Sequence, residues 1–495
     1  MAETKPEPAS PKPGGEGEPA PPKPQSGEGG WVQAADAAAL ASLLLGLFVL
    51  IFGGFILHLG PVPLRVHGAG RLLFLAVALV AIRHAAHPEA PLHRRLVRAL
   101  RGDGTASAVS IARASLLSRV AVLVAGYFAV VTIGLAQSSV GFTASSDPAL
   151  NLPARFDAAW YAGIALDGYY FEGRFDKQQN VAFFPAFPLL ERVIGYPLGA
   201  FAPAVPRERR LARLLWGGVI LSLITFAWAA VYVWRLARDT IGEDRASAAV
   251  ALLAAYPFAV FFSAAYTESL FLLGAAATIY HFRRRELVRA AGWGLLVGLT
   301  RPNGCFLSVV LALLIVEKLR FSEITKLLNH QITKSLAAAS APGIGMLIYS
   351  AYVRHLTGSW FGWARLHAAW GRSYSGLAPV ERAYGWITDE GLLHVVEGVP
   401  FDTLNSLGVI FALVMLWPVF RRLGVAYAAF VLVNLVPPLL AGGVLSMGRL
   451  SATLFPLFLA LAASVSPRTV TPLVTAFAMG QGLAAALFFT WRPLF

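Results

Sequence analysis

The chain has 495 residues, of which 57% are hydrophobic and only 14% charged, with a mean hydropathy of +0.62. Soluble domains carry about 25% charge, so this composition argues against an ordinary globular enzyme and for an all-α polytopic membrane protein. A net charge of +14 and a pI near 10.1 would suggest nucleic acid in a soluble protein, but among recurrent apolar blocks they mark Arg-rich cytoplasmic loops, and no nucleic-acid partner is expected.

Residues 1–30 hold eight prolines, six glycines and five glutamates, with no large apolar side chain after Met1. Such a segment cannot bury enough surface to offset its ordering entropy, so a disordered cytoplasmic tail is expected. It does not read as a signal peptide, because the acidic proline-rich stretch precedes the first apolar run. Apolar stretches able to span or nearly span a bilayer follow at about 37–59, 68–83, 117–136, 211–234, 246–264, 335–354, 403–420, 424–441, 450–466 and 469–490. A shorter one covers 267–281, and Arg301-Pro302-Asn303-Gly304 divides 290–316 into two short helices, giving roughly 13 membrane segments. The division expected is a tail over 1–30, two extra spans and a basic loop over 31–116, and a membrane catalytic domain over 117–495. Cys305 is the one cysteine, which excludes an intramolecular disulfide and a thiolate cluster. Arginine outnumbers lysine 34 to 7, as in a GC-rich bacterial genome.

Orientation follows from the arginines. Arg83, Arg94, Arg95, Arg98, Arg101, Arg113 and Arg119 place the loop after the second span in the cytoplasm. The next loop, 137–182, then falls outside, and it is acidic, with Asp147, Asp157, Asp167, Glu172 and Asp176 against Arg155, Arg174 and Lys177. The cluster Arg207, Arg209, Arg210 and Arg213 fits this scheme if 183–203 lies along the outer interface. A second hydrophilic stretch, 355–400, falls on the same outer side. So do Tyr266 to Ser269, the Arg301 break and Ser446 to Arg449. A solute facilitator would instead place its polar residues near mid-span with repeat symmetry, and no convincing repeat is present.

Within 137–182, Asp157, Trp160, Tyr161, Ile164, Ala165 and Gly168 recur at helical spacing, with Asp167 on another side. A carboxylate on an interfacial aromatic stripe is costly unless partnered, which marks Asp157 as a functional candidate. Its plainer reading is a helix N-cap. Asn180 to Leu190, with three Phe and two Pro, reads as a rigid membrane anchor.

Phe156-Asp157-x-x-Trp160-Tyr161-x-x-Ile164-Ala165 followed by Ala182-Phe183-Phe184-Pro185-x-Phe187-Pro188-Leu189-Leu190 resembles the PIG-V family, the second mannosyltransferases of GPI-anchor assembly, and its bacterial relatives. Ala265 to Phe271, Thr300 to Gly304, and Arg449 ahead of Leu454-Phe455-Pro456-Leu457-Phe458 agree in order, so the resemblance runs from 117 to about 466. It implies a GT-C type glycosyltransferase that takes a hexose, mannose first, from a polyprenyl-phosphate donor and inverts the sugar. It maps the catalytic acid position onto Asp157. The family has Trp immediately before that position, where this chain has Phe156. The acceptor is not carried over and could be a lipid, a glycan or a protein.

That chemistry needs a carboxylate to take the acceptor's proton and cations for the departing phosphate. Asp157 is the base, and Arg301 and Arg449 are the phosphate candidates, against a plainer reading as snorkelling interfacial arginines. Glu268 is expected at the acceptor, or else as a first-turn glutamate favoured by the helix dipole. Trp160, Tyr161 and Trp360 are the aromatics expected at the substrate, although Trp360, Trp363, Trp370 and Trp386, which accompany Arg365, His367 and Arg372, read by default as an interfacial belt, with sugar stacking as the alternative. No phosphate-cradling glycine loop or metal-ligand spacing is present, and a divalent ion is compatible with the sequence but not indicated. The expected location is a bacterial inner membrane with the active site on the outer face. A transporter or flippase of lipid-linked sugars, and a non-catalytic membrane scaffold, share the membrane frame but require no outer carboxylate.

Overall fold

The computed structural model describes residues 30–52, 55–59, 62–66, 68–86, 107–202, 205–318, 330–374 and 376–494. The tail expected at 1–30 lies outside these residues apart from Gly30, as do Arg94, Arg95, Arg98 and Arg101. The elements are helical except for one antiparallel hairpin, β1 (Phe55–Leu59) with β2 (Val62–Val66), in which Phe55 faces Val66. This corrects the span expected over 37–59. The helix there, α1, runs over Gly30–Phe52, and the chain is extended from Phe55. Paired glycines at 53–54 explain the stop, since each costs about 1 kcal/mol relative to alanine within a helix.

The chain divides into two compact units. The first contains α1 and α2 (Ala69–Ala86), packed on each other and joined by an ion pair of Arg83 Nε with Asp36 Oδ1 at 2.9 Å. Arg83 is therefore a buried helix residue and not a loop arginine.

The second unit comprises residues 55–66 and 98–495. Its long helices are α3 (Ala108–Ile133), α6 (Arg207–Ile241), α11 (His330–Thr357), α15 (Pro400–Leu423), α16 (Val425–Gly442) and α19 (Pro467–Phe489). With α2, seven described helices are long and apolar enough to cross a membrane, or eight if one bent pair counts as a span. That pair corrects the span expected at 246–264. α7 (Glu243–Ala255) ends at Tyr256, and a 3-10 segment, Pro257–Ser263, leaves at 81°. Pro257 disfavours helical backbone at the residue before it, and Tyr256 is extended at ψ 138°. The stretch expected at 450–466 likewise splits into α17 (Met447–Ala452) and α18 (Phe455–Ser464).

A bent segment leaves carbonyls without helical partners, and such backbone is tolerated in an apolar setting only when other groups satisfy it. Arg119, expected in the basic loop, supplies them: it is fully buried within α3 and donates to the carbonyls of Ala254 and Ala259. Gln481 Nε2 of α19 donates to Ala254 and Tyr256, both at 2.9 Å. Shorter helices complete the unit: α4 (Ala158–Asp167), α5 (Ala186–Gly195), α8 (Glu268–Arg283), α9 (Leu287–Thr300), α10 (Leu307–Lys318), α12 (Gly362–Leu366), α13 (Ala378–Glu390) and α14 (Leu392–Gly398). The break expected at Arg301 is present between α9 and α10, with Arg301 extended ahead of Pro302. α5 has ten residues, about 15 Å, half the hydrocarbon thickness.

Candidate active site

Segments far apart in sequence close round one cavity of about 760 Å³. α4 with Phe156 and Asp157 forms one wall, Gln178 to Phe183 a second, His367 to Arg372 a third and Leu445 to Arg449 a fourth. Gln178 Nε2 donates to the Ala369 carbonyl at 3.3 Å, and Trp160 meets Trp370 edge-on at 5.2 Å, so the two hydrophilic loops are in contact.

Asp157 precedes α4, but its side chain makes no capping hydrogen bond. The N-cap reading therefore does not describe what its carboxylate does. Arg449 Nη1 donates to Asp157 Oδ2 at 2.7 Å, while Arg449 Nε lies 3.1 Å from Glu268 Oε1. Glu268 also receives Arg301, whose Nε donates to Thr267 Oγ1 at 2.8 Å. The four side chains form an alternating chain, Asp157, Arg449, Glu268, Arg301, with exposure falling from 17% at Asp157 to zero at Glu268. Buried charges persist only when paired in this way. Asp157 Oδ1 accepts no hydrogen bond from the described residues, and Asp157 lines the cavity. Glu268 Oε2 and Arg301 Nη1 are buried with no hydrogen-bond partner among the described residues. Native structures leave few such atoms, and they concentrate at functional sites.

The backbone round this chain is strained. Among the described residues four non-glycines have positive φ, and three of them, Phe156 (45°), Ser446 (60°) and Trp491 (63°), line this cavity. Such conformations cost of order 1–3 kcal/mol each and persist where surrounding structure enforces them, typically at functional sites. The Phe156 ring packs in tilted contact with Trp491 at 4.6 Å and with Phe488 at 5.7 Å. Behind it, Tyr266 accepts the Asp157 N–H at 3.1 Å and donates to the Arg155 carbonyl at 3.3 Å. Arg155 donates Nε to the Phe489 carbonyl at 2.6 Å, fastening this turn to the end of α19.

The candidates from sequence thus fall into two groups. Asp157, Glu268, Arg301 and Arg449 come together, and Trp160 lines the cavity stacked on Phe183 at 5.8 Å. Tyr161 is buried behind the wall against Phe187 and Tyr266. Trp360 lies outside the cavity, 44% exposed beneath Arg354, and Trp370 of the same loop stands at the cavity instead. Asp167, expected on another side, lines the same cavity and is held bidentate by Arg207 at 2.6 and 2.9 Å. The helix turns cavity-ward along Asp157, Trp160, Gly163 and Asp167 and buries Tyr161, Ile164 and Ala165. Arg210 and Arg213 donate to the carbonyls of Ala200 and Gly199 at 2.8 and 2.7 Å, so this cluster secures the turn before α6.

Nothing in the sequence singles out Asn180, which donates to the Gly168 carbonyl at 2.9 Å inside the supposed anchor, nor does it assign a role to His367 and Arg372. The tryptophans beside His367 and Arg372 were their only signal. Burial and the neighbouring Arg372 hold the His367 imidazole down to about 4, so it is neutral at physiological pH. Burial, with the nearby cations Arg449 and Arg301, lowers Arg372 to about 10, which leaves it charged. Among the described residues no group of three or more His, Cys, Asp or Glu is placed to hold a metal ion.

Residues 134–355 match the family model described as mannosyltransferase (PIG-V), and no curated protein matches the chain. The matched stretch carries Asp157, Glu268 and Arg301, while Arg372 and Arg449 complete the cavity from beyond it. With helices able to cross a bilayer and this carboxylate-lined cavity, the chain is a multi-pass membrane protein that is PIG-V-like over residues 134–355.

Proposed function

We propose that the protein is an inverting glycosyltransferase that moves a hexose, mannose first, from a polyprenyl-phosphate donor to an acceptor hydroxyl at the outer face of a bacterial inner membrane. The observation that carries this reading is the Asp157 carboxylate at the cavity wall, held by Arg449 through one oxygen with the other uncommitted. Asp157 Oδ1 takes the acceptor proton as the hydroxyl oxygen attacks the anomeric carbon. The bond from that carbon to the phosphate oxygen breaks with its electron pair leaving on the phosphate, so the new bond forms on the opposite face and the configuration inverts. Trp160 and Trp370 offer apolar faces to the sugar, and neutral His367 and the Asn180 region supply polar contacts. The acceptor, whether lipid, glycan or protein, enters opposite the lipid phosphate.

The test is transfer from radiolabelled polyprenyl-phosphate-mannose by the purified protein with candidate acceptors. Loss of a general base costs about 10²–10⁴-fold, so Asp157→Asn, assayed below its own melting temperature, should lose at least a hundredfold in rate. Undiminished transfer by that variant overturns the base assignment. The rival, a flippase of lipid-linked sugars, predicts no transfer and vectorial movement in vesicles that survives the same substitution.

A further inference from the structure

The carboxylate and guanidinium chain described above is close to neutral in itself. Arg449 faces Asp157 and Glu268, and Arg301 faces Glu268. At the cavity's edge Arg207 is taken by Asp167. The remaining cation at the wall is Arg372, which has no carboxylate within ion-pair distance among the described residues. Among the described residues the one hydrogen bond of its guanidinium is Nη2 to the Leu445 carbonyl at 3.1 Å, and its stem lies along Gly442, where a Cβ would come to 3.3 Å from both Cγ and Nη1. A side chain at 442 would therefore push the guanidinium from its place. That leaves most of a guanidinium fork, five N–H donors in all, uncommitted at the cavity on the side of Arg449.

We propose that Arg372 is the residue that binds the phosphate of the lipid-linked donor, with Arg301 and Arg449 serving to hold the carboxylates. This rests on the polyprenyl-phosphate donor of the preceding reading. During transfer the phosphodiester, with one negative charge, becomes a monoester with two, while Asp157 gains a proton and loses its charge. One unit of negative charge thus moves from the carboxylate to the phosphate. Arg301 stays beside Glu268 throughout, and Arg449 is released only as Asp157 takes its proton, whereas Arg372 is unmatched before the donor arrives and meets its phosphate from the start as well as the new charge as it forms. Arg372 lines the same cavity as Asp157 and Arg449, so a phosphate held by it lies in the space that the base also faces.

The experiment compares binding of a polyprenyl monophosphate and the uncharged polyprenol of equal length to the full chain in nanodiscs. A charge-assisted bidentate contact is worth roughly tenfold or more in affinity, so the wild type should prefer the monophosphate by at least that factor. Arg372→Gln should erase the preference while leaving polyprenol binding unchanged, and Arg372→Lys should keep part of it. Arg382→Gln, on the exposed face of α13, should keep all of it. Persistence of the full preference in Arg372→Gln overturns the proposal. If that variant fails to fold, Arg372→Lys decides, because an unchanged preference there rejects the fork and a reduced one upholds it. Inorganic phosphate is the second probe, and equally tight binding of it would overturn the lipid-headgroup assignment in favour of free phosphate. Sugar transfer measured in the same preparation separates the two readings. An Arg372-dependent preference without any transfer refutes the enzyme and leaves this site standing, whereas transfer with an unchanged donor KM in Arg372→Gln refutes this site alone.

Discussion

At the scale of single residues, Arg449 and Glu191 make opposite demands on charge. Arg449 is shared by two carboxylates, and removing a partner from a buried ion pair costs about 3–5 kcal/mol because charge is left uncompensated. Arg449→Met should therefore lower the melting temperature as well as abolish transfer. The double variant Arg449→Met, Asp157→Asn, which removes the carboxylate left alone and keeps the Glu268–Arg301 pair, should regain part of the stability, and a double variant no more stable than the single one would count against the pairing. Glu191, on α5, is fully buried with neither oxygen hydrogen-bonded among the described residues, and burial pushes its carboxyl well above the usual range. The folded form holds this proton where the unfolded chain releases it, near pH 4.3. The group's contribution is thus complete below that pH and is lost as pH rises. Thermal melting of Glu191→Gln against wild type from pH 5 to 8 should show the wild type losing stability relative to the variant. Parallel curves would reject a protonated Glu191.

At the scale of elements, close helix approach depends on small residues. Gly294 and Gly298 of α9 lie against α11, where a Cβ on Gly294 would meet Pro342 at 3.1 Å and one on Gly298 would run into the Pro342 carbonyl. Gly298→Leu should force the helices apart and shift Arg301 at the end of α9, reducing transfer along with the melting temperature. Gly292→Leu, where nothing lies within 4 Å, should leave both unchanged. The long apolar helices were legible from sequence because period and length suffice to define them. The bend after α7 was not, since Pro257 sits in an unbroken apolar run and only the buried donors Arg119 and Gln481 make the break tolerable. Asp157 was legible as a carboxylate in an aromatic stripe. Its partner Arg449 is 292 positions away, and no local pattern carries that pairing.

At the scale of the whole molecule, Cys305 is the single cysteine, so Cys305→Ser gives a background for site-specific labelling. Cysteines at Glu172 and Lys177, both about half exposed, should react with an impermeant maleimide from outside intact cells, whereas one at Arg284, in the basic turn of Arg283, Arg284, Arg285 and Arg289 that the same arginine rule puts inside, should react only after permeabilisation. Reaction of all three from one side would overturn the orientation read from the arginines. That reading leaned partly on Arg83 and Arg119, which the fold uses as internal partners. The unmasked bias is therefore smaller than a count of basic residues implies. The placement of Arg449 between two carboxylates bears on turnover itself. When Asp157 takes up a proton, its claim on Arg449 weakens, and Glu268 is left facing both Arg449 and Arg301. These linked side chains then carry one more positive than negative charge, and they return to neutrality only when Asp157 releases that proton, so each turnover starts from a balanced site.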